Sequence, residues 1–310
     1  MIARSVLVTG ATAPLGMALV RALLDEGHTV LATGVERDSR FTHSPRLHYV
    51  HANLQRSREL RQLLFGAVCD LAVDAVIHTA GHRRTDLRGE RVRRLHVEAT
   101  REMLHLCGRH PTVKKIVIRS YSEIYRVGPD LPALLDEEQA LDLSPSAPQW
   151  IRDHAEADLT ACAFMAMSPL RVVVLRLAEC LADGTGSQLA DYLTSRVCFM
   201  PLGFDPMLCL LSIEDAVIAL RAALAYEGKG VFNIPGRDVL PLSALVRLAG
   251  RIGVPAPEPL LAPLYGLRAL VRGTDFRWEM SRWRFHYGGL LDGSRARAEL
   301  GYTPRHAIAF

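Results

Sequence analysis

The chain has 310 residues, of which 49% are hydrophobic and 23% charged, and its 37 basic residues against 33 acidic ones leave a formal net charge of +4. This balance excludes a mostly disordered chain, and so small a basic surplus, with no concentrated basic face, argues against nucleic acid as a partner. The length suits one large core or a main domain with a smaller lobe, and the patterning favours the second.

The first apolar run, at 5–9, begins almost directly after Met1 and leaves no room for a charged leader, an apolar core and a cleavage site. No apolar run nears the roughly 20 residues that cross a bilayer. Cys69, Cys107, Cys162, Cys180, Cys198 and Cys209 are scattered, without the close pairing of a zinc or redox motif, and read as reduced core residues. A cytoplasmic location is the expectation. Further strands are expected at 29–33, 47–51, 75–79, 115–120 and 171–177, with helices between them. The helix near 15–26 is stopped by Gly27, and another over 90–108 also ends on glycine. Short apolar runs alternating with helical segments predict a doubly wound parallel sheet. After residue 177 the chain is broken by Gly184, Gly186, Pro201, Gly203 and Pro206, and later by Pro255, Pro257, Pro259 and Pro263. The expected division is a main domain over 1–177, rejoined by a segment near 208–235, and a smaller α/β lobe made mainly of 178–310. That lobe would cover the carboxyl ends of the strands, where open α/β sheets bind ligands.

Between the first strand and the first helix lie Thr9, Gly10, Ala11, Thr12, Ala13, Pro14, Leu15 and Gly16. Small residues here let backbone amides approach a pyrophosphate at a helix N-terminus, although a tight turn with no ligand fits this segment equally well. Other landmarks follow in order: Ala75-Val76-Ile77-His78-Thr79-Ala80-Gly81, then Val97-Glu98-Ala99-Thr100, then Ser120-Tyr121-Ser122-Glu123-Ile124-Tyr125. Leu175-Arg176-Leu177, Ser212-Ile213-Glu214-Asp215-Ala216, Gly230-Val231-Phe232-Asn233-Ile234 and Leu300-Gly301-Tyr302-Thr303-Pro304 complete the series. Taken together the chain resembles the extended short-chain dehydrogenase/reductases, the NAD-dependent epimerase/dehydratase family, over almost its whole length. The resemblance implies a Rossmann-type doubly wound sheet, NAD or NADP as cofactor, a small-molecule substrate or ligand such as a nucleotide sugar, and a homodimer. On the T-G-x-x-G-x-x-G turn of that family Ala13 replaces the middle glycine, and His96 stands where an asparagine is usual. Thr79, Ala80 and Gly81 fall on the strand end that lines the cofactor.

Other departures concern the chemistry. The acid expected at the end of the second strand falls on Gly34; Arg37 nearby would then face a 2'-phosphate and favour NADP, or is simply solvated. Beside the adenine, Asn53, followed by Leu54, stands for an acid and can still hydrogen-bond, so cofactor binding is expected to be weakened or lost. At the reacting centre Trp150 falls on the family's tyrosine, His154 on its lysine and Tyr121 on its serine or threonine. Two outcomes stay open. In one, the standard hydride chemistry is impaired, Tyr121, Trp150 and His154 pack as an aromatic wall, and the protein binds a ligand, regulates, or reacts by an atypical route. In the other, Tyr121 supplies the phenol and His154 tunes it near neutrality, giving an active NAD(P)-dependent oxidoreductase or sugar-nucleotide epimerase/dehydratase.

His78 and His82 have the separation of a helical metal pair, but His78 ends a strand, so no metal is expected. His43, His48 and His51 read as surface or satisfied polar residues, and Ser122 and Ser187 lack the glycine context of a hydrolase nucleophile. The stretch 260–272, followed by Arg277, Trp278, Arg282, Trp283 and Arg284, mixes apolar residues with arginines and tryptophans. It suits a helix capping the smaller lobe with solvated arginines, a contact with an anionic membrane surface or lipid-like ligand, or an inward clamp on a diphosphate.

Overall fold

A computed structural model describes residues 3–37, 41–42, 44–82, 84, 86–182 and 185–308. His43 and Gly184 lie outside these residues. The chain runs β1 (Ser5–Thr9), α1 (Pro14–Asp25), β2 (Thr29–Gly34), β3 (Leu47–His51), β4 (Ala75–His78), α2 (Ala99–Cys107), β5 (Lys115–Tyr121), α3 (Gln149–Met167) and β6 (Arg171–Leu177). It continues with β7 (Glu179–Cys180), α4 (Gln188–Leu193), β8 (Met207–Leu211), α5 (Ile213–Ala225), β9 (Gly230–Ile234), β10 (Asp238–Pro241), α6 (Glu258–Arg272) and α7 (Trp278–Tyr287), with further helices and strands between.

Val6-Leu7-Val8, Val30-Leu31-Ala32, Ile116-Val117 and Val172-Val173-Val174-Leu175 are sealed from solvent on both faces. Continuous apolar runs of this kind stabilise a parallel sheet only when helices cover both sides. The sheet is parallel throughout, in the order β9-β6-β5-β4-β1-β2-β3. Strand order therefore reverses between β1 and β4, which opens a crevice at their carboxyl ends. α1 begins with Pro14, whose missing N–H costs nothing at a first helical position, and it buries Leu15, Leu19, Val20 and Leu23. Gly27, at φ +88°, turns the chain back toward β2.

The expected helix over 90–108 has a break in its regularity. It is α-helical over Glu90–Arg93, forms a π turn over Arg94–Glu98 and resumes in α2. A π turn inserts an extra residue and rotates the faces on either side, and here His96 and Val97 are buried in it.

β8 pairs with β7 and β10 in a small separate sheet, whereas β9 returns to the edge of the main sheet beside β6 and α5 packs on α1. The C-terminal core gathers Tyr192, Tyr265, Phe276, Trp278 and Phe285. Three arginines around α6 and α7, Arg268, Arg277 and Arg284, are engaged with the protein, whereas Arg282 is exposed as well as paired. Arg268 donates to the Val197 carbonyl at 2.6 Å, Arg277 pairs with Asp86 at 2.9 Å, and buried Arg284 donates to the Ser122 carbonyl at 3.1 Å. Arg282 holds Glu258. Leu267, Leu270 and Val271 remain exposed on α6, and among the described residues no helix is long and apolar enough to cross a membrane.

Candidate active site

The crevice holds a cavity of about 400 Å³ whose walls come from the β1–α1 turn, the ends of β2, β3, β4 and β5, and Thr185. At its floor Gly10 has φ +65°, and a Cβ there would lie 2.8 Å from the Ala80 Cα. Only glycine lets these two backbones meet. Ala13 precedes α1 in extended conformation, and no side chain caps the helix. The positive end of the dipole of this 12-residue helix therefore carries no side-chain cap beside the cavity. Gly10, Thr12 and Ala13 line the space. Thr9 is buried behind it, with its hydroxyl 2.8 Å from His78 Nδ1 and its carbonyl accepting from Thr79 Oγ1 at 2.7 Å. Pro14, Leu15 and Gly16 support the turn without lining the cavity.

Past the end of β2 the lining acid is Glu36, which the sequence reading did not single out. Thr12 Oγ1 donates to Glu36 Oε2 at 2.5 Å. A Cβ on Gly34 would stand 2.8 Å from that same Thr12 Oγ1 and 3.1 Å from Glu36 Oε2, so glycine at 34 makes room for the carboxylate two residues later. Arg37 is exposed and lies outside the lining, which leaves the expectation of a 2'-phosphate clamp without support. Asn53 and Leu54 line the cavity from the end of β3; Asn53 Oδ1 accepts from the Gln55 amide at 3.0 Å.

At the opposite end Thr79, Ala80, Gly81, His82, Arg119 and Tyr121 close the cavity. Behind them the three substituted residues come together in one stack. The His154 ring lies 4.1 Å from Trp150, 4.5 Å from Tyr121 and 4.0 Å from His96, and Tyr121 meets Trp150 edge-on at 4.9 Å. His154 Nδ1 donates to the Trp150 carbonyl at 2.8 Å, which fixes the tautomer and leaves Nε2 as an acceptor. Burial pushes the His154 pKa down to about 3 and that of His96 well below its ordinary value. The expectation of an imidazole titrating near neutrality therefore does not hold in this packing. Burial raises the Tyr121 pKa, with the Arg119 cation acting in the opposite sense. Trp150 Nε1 and His96 Nε2 are buried without a hydrogen-bond partner. His96 reaches the stack through the π turn, and its place gives the substitution noted in the sequence a structural context.

The stack is held from below by a buried ion pair. Arg176 reaches Asp158 at 2.7 Å, and Ser120 Oγ donates to the same carboxylate at 2.6 Å, tying α3 to β5 and β6. His78 is also buried, 3.2 Å from Thr100 Oγ1 through Nε2, with its pKa lowered to about 4 by desolvation. His48 and His51 are exposed. Ser187 caps α4 and donates to Glu179.

A model of the NAD dependent epimerase/dehydratase family matches residues 6–197. An uncharacterized protein of Mycobacterium tuberculosis is 30% identical over 241 residues, covering 75% of this chain, and the chain spans only 62% of that relative's length. A 3-diazoavenalumate denitrifying reductase of a Streptomyces species is 29% identical over 313 residues, covering 97% of this chain and 96% of the reductase. Among solved structures, the UDP-glucuronic acid 4-epimerase of Bacillus cereus, in complex with UDP-glucuronic acid and NAD, has a TM-score of 0.72 at 16% identity, covering 98% of this chain and 95% of the epimerase, a likeness of fold.

Proposed function

Since the chain belongs to the NAD-dependent epimerase/dehydratase family, we propose that it binds NAD(H) in the crevice and acts as a reductase that delivers hydride without a proton donor from the protein. The observation that carries this reading is the stack of Trp150 on His154. The two positions that resemble the family's tyrosine and lysine hold an indole and a buried neutral imidazole, and Nδ1 of that imidazole is committed to a carbonyl.

The cavity suits a dinucleotide on its own features. The close approach of Gly10 to Ala80 and the uncapped start of α1 leave the small residues Gly10, Thr12 and Ala13 lining the space where a pyrophosphate would lie at the helix N-terminus. Glu36 would accept from ribose hydroxyls, and Asn53 would meet the adenine edge. Thr79, Ala80 and Gly81 give a smooth wall toward Tyr121, since a Cβ on Gly81 would stand 3.3 Å from the Tyr121 hydroxyl. When bound, the reduced dinucleotide supplies the hydride. The protein's own residues position the acceptor and exclude water, and none of Trp150, His154 or His96 offers an exchangeable proton at neutral pH.

A substrate that suits such a site is an electrophile reduced by hydride alone. An aryl diazonium ion is one: a C–H bond forms, the C–N bond breaks, and its electron pair leaves with neutral dinitrogen, so no proton is consumed. The Streptomyces relative is named for denitrifying a diazo compound. A second reading keeps Tyr121 as proton donor, favoured by its hydroxyl bordering the cavity beside Gly81.

Purified protein would be titrated with NAD+, NADH, NADP+ and NADPH and then assayed with aryl diazonium salts and with nucleotide sugars. The expected result is NADH binding, and NADH oxidation matched by dinitrogen release above a no-protein blank. Absence of binding by all four dinucleotides, or turnover of nucleotide sugars alone, would overturn the proposal. Tyr121→Phe separates the readings, because a proton donor would lose about 100-fold in rate whereas the hydride-only route would keep its rate within a small factor.

A further inference from the structure

Arg119 plays no part in the reading above beyond lining the cavity. It lies on β5 two residues before Tyr121, and borders both the main cavity and a small one beneath it that is lined by His78, His96, Tyr121 and His154. Its guanidinium is held in place on two sides. Nη2 donates to the Thr185 carbonyl at 3.0 Å, and Cζ stands 4.5 Å over the Tyr121 ring. Its Nε is buried with no hydrogen-bond partner, and among the described residues no carboxylate forms an ion pair with it. Among the groups that share the two cavities with it, Asp158 in the smaller one is paired with Arg176 and Glu36 lies at the far end of the main one, while burial holds His96 and His154 uncharged and Tyr121 protonated. The field of Arg119 nonetheless reaches all three, since its charge acts on each of their titrations. An arginine keeps its charge at any working pH. The result is a fixed cation with no ion-pair partner among the described residues, at the closed end of the crevice, on the strand side. The helix position that resembles the family's lysine, His154, carries no charge.

We propose that Arg119 makes the crevice selective for the reduced dinucleotide over the oxidised one, an inference that rests on the NAD(H) reading above. The nicotinamide ring is a cation when oxidised and neutral when reduced. A preorganised cation in a half-buried site opposes the first and leaves the second almost unaffected. The protein would then take up NADH, and release NAD+ readily after transfer, which suits a reductase and opposes the reverse oxidation. The bound forms differ by one charge at the ring, so the discrimination is of the order that one such charge gives across a partly desolvated distance, about tenfold.

The test is a calorimetric or fluorescence titration of NADH and NAD+ against the native protein, Arg119→Gln and Arg119→Lys, each checked for native melting. The native protein should bind NADH about tenfold more tightly than NAD+. Arg119→Gln should bring the ratio near one, mainly by tightening NAD+, and Arg119→Lys should keep most of it. A native ratio at or below one overturns the inference whatever the variants do, as does an unchanged ratio in a folded Arg119→Gln protein. Binding of neither dinucleotide by the native protein overturns the cofactor reading itself, a different result from binding of both without preference.

Discussion

A lysine returned to position 154 would enter a slot walled by Trp150, Tyr121 and His96 rings at 4.0 to 4.5 Å, with no carboxylate among those contacts. His154→Lys should therefore destabilise the fold by about 2–4 kcal/mol in urea unfolding, the cost of an unpaired buried ammonium, and should not by itself create epimerase activity. An unchanged urea midpoint would mean that the slot is wetter than its packing indicates. At the other end of the cavity, Glu36 sets an expectation of opposite sign to the one drawn from Arg37. A carboxylate against a 2'-phosphate is a like-charge contact, so NADH should bind at least about tenfold more tightly than NADPH, and Glu36→Gln should narrow that gap; titration of both cofactors against both proteins decides it. The positions of Tyr121, Trp150 and His154 were legible because their spacing follows a recognisable register. The neutrality of His154 was not, since the protonation of an imidazole depends on burial that spacing does not encode. Glu36 was hidden for a related reason: it follows the strand by two residues, and only the folded loop brings it back over Gly34.

At the scale of elements, the β1–α1 turn shows how little tolerance a backbone approach allows. A Cβ on Gly16 would run into the Gly10 carbonyl and meet the Ala11 Cα at 2.8 Å, and both neighbours are main chain that cannot swing away. Gly16→Ala should thus shift α1 relative to β1, costing about 2 kcal/mol of stability and weakening NADH binding by more than about tenfold, as measured by melting and titration; unchanged binding would show that the turn does not hold the pyrophosphate. The attachment of α3 makes a second case. Asp158 is fully buried and answers both Arg176 and Ser120, so Asp158→Asn leaves a buried guanidinium without its counter-charge. About 3–5 kcal/mol should be lost in urea unfolding, and the rings of Trp150 and His154, carried on the same helix, should lose their register against Tyr121. The strands were readable because buried apolar runs leave a direct trace in the sequence. The π turn over Arg94–Glu98 left none, since no glycine or proline marks it and its single extra residue is visible only in the hydrogen-bond pattern.

Across the whole molecule, the buried imidazoles set how the fold responds to acid. His78, His96 and His154 are held neutral in the folded chain, with pKa values pushed by burial to about 4, well below 6.5 and to about 3 respectively. In the unfolded chain each would return to about 6.5. Below that value the unfolded state binds more protons than the folded one, so the stabilisation is fully present above pH 6.5 and is lost as pH falls toward 4. Glu179 works the other way, because burial, then Glu123, raises it to about 7, and its proton favours the folded state between the ordinary carboxylate value and that point. His28 and His82, also lowered by burial, act with the three imidazoles, and Asp153, raised by burial, acts with Glu179, so the imidazoles prevail and the net is a loss of roughly 2–3 kcal/mol per pH unit between about 6 and 5. The urea midpoint should fall clearly from pH 7.5 to pH 5.5, and His154→Asn should flatten that slope by about one proton's worth. Equal midpoints at the two pH values would mean that the imidazoles are solvated, and a solvated His154 would restore the proton relay that the hydride-only reading denies. The pH dependence of folding thus tests the same neutrality on which the proposed chemistry depends.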